Sequence, residues 1–248
     1  MKKKYILTII ILIAIILLTS GFLLGNYSVK NNIHFKKNNT LKLDTTNATV
    51  IKLYNQVNPS TDTSIIKGLY EPNYSNDYIL SVGIINYLQN NNLKNEPYIS
   101  QKEVDKYIHR ILGYSLNYLH QTVYILDSKL GICGYWYHEN QKQYELIPGC
   151  GNNPSQSVHR KIVKAQYQGD TIEITEKLIY EYHNLDEYSN KIYIYNNIQK
   201  EKLLNYYETS YLDNYKSNID DYLSEASTYI YTFKYQYDHY ILKSIQKI

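Results

Sequence analysis

Phenylalanine is almost missing from this chain. Three phenylalanines stand against 31 tyrosines, and since Phe codons are as AT-rich as those for Tyr, Lys, Asn and Ile, a biased genome does not explain the gap. Tyrosine was favoured over phenylalanine. A tyrosine ring supplies apolar area while its hydroxyl must reach water or a partner, so the expected core is thin, with many rings half-buried at its rim. Tyr-rich surfaces also suit recognition. The formal net charge is only +3, and the lysines are scattered rather than gathered into a block, so nucleic acid is not indicated as a partner. Motifs are missing too. No G-x-x-x-x-G-K-[ST], G-x-G-x-x-G, G-x-S-x-G or H-E-x-x-H occurs, which argues against nucleotide binding, serine hydrolysis and zinc proteolysis by the familiar routes. No cofactor is implied.

What the chain does have is an apolar run. Residues Tyr5 to Leu24 carry no charged side chain and follow Met1-Lys2-Lys3-Lys4 directly. At about 1.5 Å of rise per residue this run spans roughly 30 Å as a helix, enough to cross the hydrocarbon core of a bilayer. A cleavable signal peptide usually has a shorter apolar region, of about 7 to 15 residues. The small residues Thr19, Ser20 and Gly21 keep that alternative open, with a secreted chain starting near Phe22. No Cys follows the run, so lipid attachment at that point is excluded. Lys2, Lys3 and Lys4 hold the N-terminus on the cytoplasmic side. The expected organisation is a cytoplasmic tail (1–4), a transmembrane signal-anchor helix in the lipid bilayer (5–24), an extracytoplasmic tether (25–46) and a single extracytoplasmic α+β domain (47–248).

Within the domain, Val50, Leu53, Tyr54 and Val57 recur at helical spacing behind the capping candidates Thr46 and Asn47, with Pro59 just beyond. A second helix is read over Asp77 to Leu88. Ser100-Gln101-Lys102-Glu103 is a capping box, in which Ser and Glu satisfy each other's free amides, and it opens a third helix ending near Gly113. From Thr122 the period changes to two. Thr122 to Leu126 leads into a hairpin of Ile132 to His138 with Gln143 to Ile147. A second hairpin joins Lys161 to Gln168 with Thr171 to Tyr182 through Gly169-Asp170, placing Ile172, Ile174, Leu178 and Tyr180 on one face. Lys191 to Tyr195 alternates again, and a polar helix is expected between Tyr211 and Ser224. Thr228 to Tyr235 and Tyr240 to Ile248 close the chain around a turn at Tyr237-Asp238.

Helices first and antiparallel hairpins after argue an α+β fold, a helical layer on one curved, mainly antiparallel sheet. Cystatin-like and NTF2-like folds share this logic by architecture alone. The layout also resembles single-pass envelope proteins of AT-rich, Gram-positive-type bacteria: a Lys-rich start, anchor, tether, helices, hairpins and a closing Tyr231-Thr232-Phe233-Lys234 strand. That resemblance implies a place in the cell envelope and no activity.

The two cysteines, Cys133 and Cys150, are a disulfide candidate, because a turn near Gln141 and Lys142 sets them opposite each other at the open end of the hairpin. Three other chemistries compete for these residues. An envelope cysteine hydrolase or transpeptidase would use Cys150 as nucleophile with His159 or His138 as base. Zinc held by Cys133, His138, Cys150 and His159 lacks the paired spacing of structural sites. Asp220-Asp221, and Glu173 with Glu176, lack any calcium-loop motif and read as solvated charge. The reading favoured is a non-catalytic module that binds an extracytoplasmic protein or envelope ligand through a Tyr-rich concave sheet face.

Overall fold

Capping residues start every helix of the computed structural model, which describes residues 40–127, 132–149, 156–185, 190–209 and 218–248. The Asn47 side chain accepts the Thr49 amide at 2.9 Å and opens α1 (Ala48–Val57), whose Val50, Leu53 and Val57 are buried. Asp62 does the same for Ser64 at 2.8 Å and opens α2 (Thr63–Leu69), a short helix not anticipated above. Ser75 opens α3 (Asn76–Asn90), which is buried on almost every side. Ser100 opens α4 (Gln101–Leu112), and Gly113 ends it at φ +92°, a left-handed conformation that glycine adopts without steric cost. Only half of the capping box forms. The Glu103 amide reaches the Ser100 hydroxyl at 3.3 Å, but its carboxylate turns to Lys106 at 3.1 Å.

The described residues contain eleven strands, eight where expected and three, at Leu41–Leu43, Tyr98–Ser100 and Leu203–Thr209, that were not anticipated, and they form two antiparallel sheets rather than one. The first contains β1 (Leu41–Leu43), β6 (Gln156–Gln168), β7 (Thr171–Leu185), β10 (Ser227–Gln236) and β11 (His239–Lys247) in that order, with β8 (Asn190–Tyr195) beside β7 and β9 (Leu203–Thr209) beside β8. One edge of β7 is shared: Thr171 to Leu178 pair with β10, and Tyr180 to Leu185 pair with β8. The second sheet runs β2 (Tyr98–Ser100), β5 (Gln143–Leu146), β4 (Ile132–His138), β3 (Val123–Asp127). The division falls at the loop beginning with Pro148 and Gly149, where proline withholds the amide that a continuing ladder would need.

Two further boundaries move. Leu41 to Leu43 pair with Tyr167 to Ala165 of β6, so the folded unit, Thr40–Ile248, starts inside the stretch assigned to the tether. Of the stretch Tyr211 to Ser224 expected to hold a polar helix, residues 211–217 lie outside those described, and the remainder contains a 3-10 turn at Ile219–Tyr222. The apolar run 5–24 lies outside the described residues; among those described, no helix is long and apolar enough to cross a membrane.

Side chains from all four helices and both sheets join in one main core. Tyrosine is buried more deeply than expected: Tyr78, Tyr135, Tyr144 and Tyr231 in this core and Tyr180 in a smaller cluster with Ile66 and Ile198 are fully buried. Each hydroxyl is satisfied. Tyr78 donates to the Val57 carbonyl at 2.8 Å, Tyr135 to the Glu96 carbonyl at 3.0 Å and Tyr180 to Gln156 at 2.8 Å. Tyr144 meets His120 Nδ1 at 2.6 Å. Buried phenols with partners cost little, whereas unpartnered ones would each carry a desolvation penalty.

Candidate ligand-binding groove and the carboxylate behind it

Position 176 breaks the apolar pattern of β7. Ile172, Ile174, Leu178 and Tyr180 all point into the core as their alternation requires, and Glu176 points there with them at 0% exposure. It is not solvated charge. Three phenols from three elements donate to its carboxylate: Tyr54 of α1 to Oε2, Tyr70 just past α2 to Oε1 at 2.6 Å, and Tyr231 of β10 to Oε1 at 3.2 Å. The hydroxyls of Tyr70 and Tyr231 are themselves 2.9 Å apart. Arg160 on β6 stands opposite Leu178, one diagonal step from Glu176 on the same face. Its guanidinium donates to Asn58 Oδ1 and lies 5.9 Å from the centre of the Tyr54 ring.

The electrostatics follow from burial. Desolvation raises the Glu176 carboxyl above its ordinary value, and the opposing pull of Arg160 and the three phenol donors offsets this only in part. Desolvation, then the Glu176 charge, push Tyr54, Tyr70 and Tyr231 well above the usual phenol range. Burial disfavours the Arg160 cation, but the surrounding phenols and carboxylate outweigh it and raise its pKa further.

Tyr70 connects this cluster to the surface. Its ring packs against Tyr229 with centroids 4.4 Å apart, and both line an open groove of about 970 Å³ between the turn after α2, the loop after α4, residues 199–201 and β11. Gln199 accepts from the Tyr229 hydroxyl at 3.5 Å. Lys243, Lys247, Glu71 and Glu201 also line the groove, and Lys247 pairs with Glu201, a contact that lowers the Glu201 carboxyl pKa. The groove thus has an aromatic base, balanced charge and several neutral hydrogen-bonding side chains. It fits a polar ligand with one apolar face.

Of the residues singled out from sequence, His138 lies in the smaller sheet and His159 in the larger one. In the β4–β5 register Tyr135 faces Leu146, and the Ile147 amide donates to the Gly134 carbonyl at 3.0 Å. Cys133 is buried in β4 and there is no free cysteine among the described residues; Cys150 lies outside them. His138 holds Glu145 at 2.7 Å in the smaller sheet, and His159 holds Glu181 at 3.2 Å in the larger one. On β10, Tyr229, Tyr231 and Phe233 are buried and Tyr235 is exposed.

Glu176 and Arg160 were missed as a site. The available signal was a charged residue at an inward position of an otherwise apolar alternation, in both β6 and β7. No protein-family model, no curated protein and no solved structure matches the chain.

Proposed function

We propose that this is a single-pass, membrane-anchored extracytoplasmic protein whose folded unit binds a polar envelope ligand without chemically changing it. The observation that carries the binding reading is the groove over Tyr70 and Tyr229, with its balanced charge and its hydrogen-bonding walls. The anchor reading rests on the uncharged run from Tyr5 to Leu24 behind three lysines. Together they describe a domain held at the outer membrane face, with its N-terminus inside the cell. Cleavage near Phe22 would release the same domain as a secreted protein.

Localisation is tested by adding protease to intact cells that express the chain with a tag at either end. The proposal expects the C-terminal tag to be lost, the N-terminal tag to survive, and the chain to sediment with membranes. Recovery of the whole chain from cytosol without detergent would overturn it. For binding, Lys243→Ala and Asn117→Ala alter the groove at exposed positions, and weaker retention of both variants on isolated cell envelopes is expected. A hydrolase or transferase activity abolished by Cys150→Ala would replace the binding module with the enzyme.

A further inference from the structure

The smaller sheet buries one face, and over part of its length it leaves the other exposed. Val123, Ile125, Tyr135, Tyr144 and Ile99 point into the core, so their neighbours along each strand point outward. Three of those neighbours are aromatic. Tyr98, Trp136 and Tyr124 are 52%, 41% and 65% exposed. Tyr98 faces Glu145 on β5, and Glu145 in turn faces Trp136 on β4. The three side chains make one row across adjacent strands, ring, carboxylate, ring. Two strand spacings separate the rings by about 10 Å, the span of a disaccharide. Tyr124 lies alongside, opposite Gly134. At Gly134 a Cβ would meet the Val123 carbonyl oxygen at 2.2 Å, so no side chain can fill the step beside Tyr124. The carboxylate of Glu145 is fixed by His138 at 2.7 Å.

We infer that this face is a stacking platform for a neutral, hydroxyl-rich glycan chain, separate from the groove. The faces of pyranose rings carry C–H groups that suit the negative face of an aromatic ring, and a carboxylate between two rings accepts hydroxyl hydrogens in charge-assisted bonds. The charge at the centre of the row decides against the other occupants. A polyanion would bring its own negative charge onto Glu145. A second copy docked face to face across a twofold axis would desolvate like carboxylates near each other, at a cost that the rings would not recover.

Trp136 is the single tryptophan of the chain, so its emission reports directly on the platform. The full-length protein in detergent micelles is titrated with N-acetylchitotetraose and cellotetraose, with heparin as a polyanion. The expected result is a saturable blue shift with at least one of the neutral oligosaccharides. Tyr98→Ala and Glu145→Ala should each weaken it about tenfold or more, a change of roughly 1.4 kcal/mol. Lys243→Ala, in the groove, should leave it unchanged; failure of the groove reading would therefore not affect this result. No emission change with either oligosaccharide overturns the inference. So does an equal response in Tyr98→Ala and Glu145→Ala, a response to heparin alone, or a dimer seen by light scattering that Trp136→Ala dissociates. Circular dichroism on each variant confirms that the exposed substitutions leave the fold intact.

Discussion

A hydroxyl at the tip of a ring turns an apolar side chain into one that must be satisfied, and this core accepts that condition repeatedly. The Glu176 cluster is the densest case. Removing one partner of a buried charge costs about 3–5 kcal/mol, whereas replacing both with apolar groups can be nearly neutral. Arg160→Met and Glu176→Leu are each expected to lower stability by that order, and the double variant to recover only part of it, because Tyr54, Tyr70 and Tyr231 still lose Glu176 as the acceptor for their hydroxyls, measured by urea denaturation. The pH dependence has a defined sign. Glu176 keeps its proton in the folded state above the ordinary value of 4.5, so the folded chain binds more protons there than the unfolded one. Its contribution is full below that value and declines as pH rises through the raised one. Glu176→Gln should remove this slope from the urea midpoints. Tyr54, Tyr70, Tyr78 and Tyr231 act in the same direction at higher pH, since all are raised well above 10.0. Stability should drop steeply once pH passes 10.0, with tyrosinate absorbance appearing only as the protein unfolds. The abundance of tyrosine was plain in the sequence, but its depth was not. Whether a phenol lies at the rim or in the interior depends on a distant partner, such as the Glu96 carbonyl for Tyr135, and local pattern carries no record of that.

Among the elements, those with strong local signals were the legible ones. α1 and α4 carry both a cap and an amphipathic face, and the turns at Gly169 and at Tyr237-Asp238 fall where expected, with positive φ at all three residues. α2 was not legible because it has seven residues and little periodicity, and β9 because its Leu-Leu-Asn-Tyr-Tyr sequence alternates poorly. Ser100→Ala should cost α4 about 1 kcal/mol, the usual value of a cap, read as a fall in urea midpoint. The contact between α3 and α4 is tighter than either helix shows by itself. A Cβ at Gly83 would come within 2.7 Å of Val104 and 2.8 Å of both Ile108 and the Val104 carbonyl. Alanine is a better helix former than glycine by roughly 1 kcal/mol, yet Gly83→Ala is expected to destabilise the protein by about 1–3 kcal/mol, because the helices must separate. A thermal melt of that variant above the parent's would show that the helices yield without loss.

At the scale of the molecule, the α+β class and the antiparallel strands were readable from the order of periods along the chain, while the split into two sheets was not. Alternation identifies strands but not which strand lies beside which, and β7 divides its outer edge between β10 and β8. The two proposed sites were hidden for the same reason. The groove joins residues from position 69 to 247, and the aromatic row needs the register of three strands. The proposed bridge between Cys133 and Cys150 also belongs to this scale. It would close a loop and contribute about 3 kcal/mol in the chain-entropy account. Thiol labelling of the unfolded chain should succeed only after reduction, and labelling of both cysteines without reductant would exclude the bridge.

The first strand of the fold has a mechanical consequence. β1 is three residues long and lies at the sheet edge against Tyr167, Gln166 and Ala165. Any tension applied to the chain from its N-terminal side reaches this strand before it reaches α1. So short a ladder peels away under load while the rest of the sheet, held by the long β6–β7 hairpin, keeps its shape. Among the described residues, Leu41 to Leu43 pair with β6 alone, so their release would lengthen the N-terminal connection and leave the β6–β7 ladder in place.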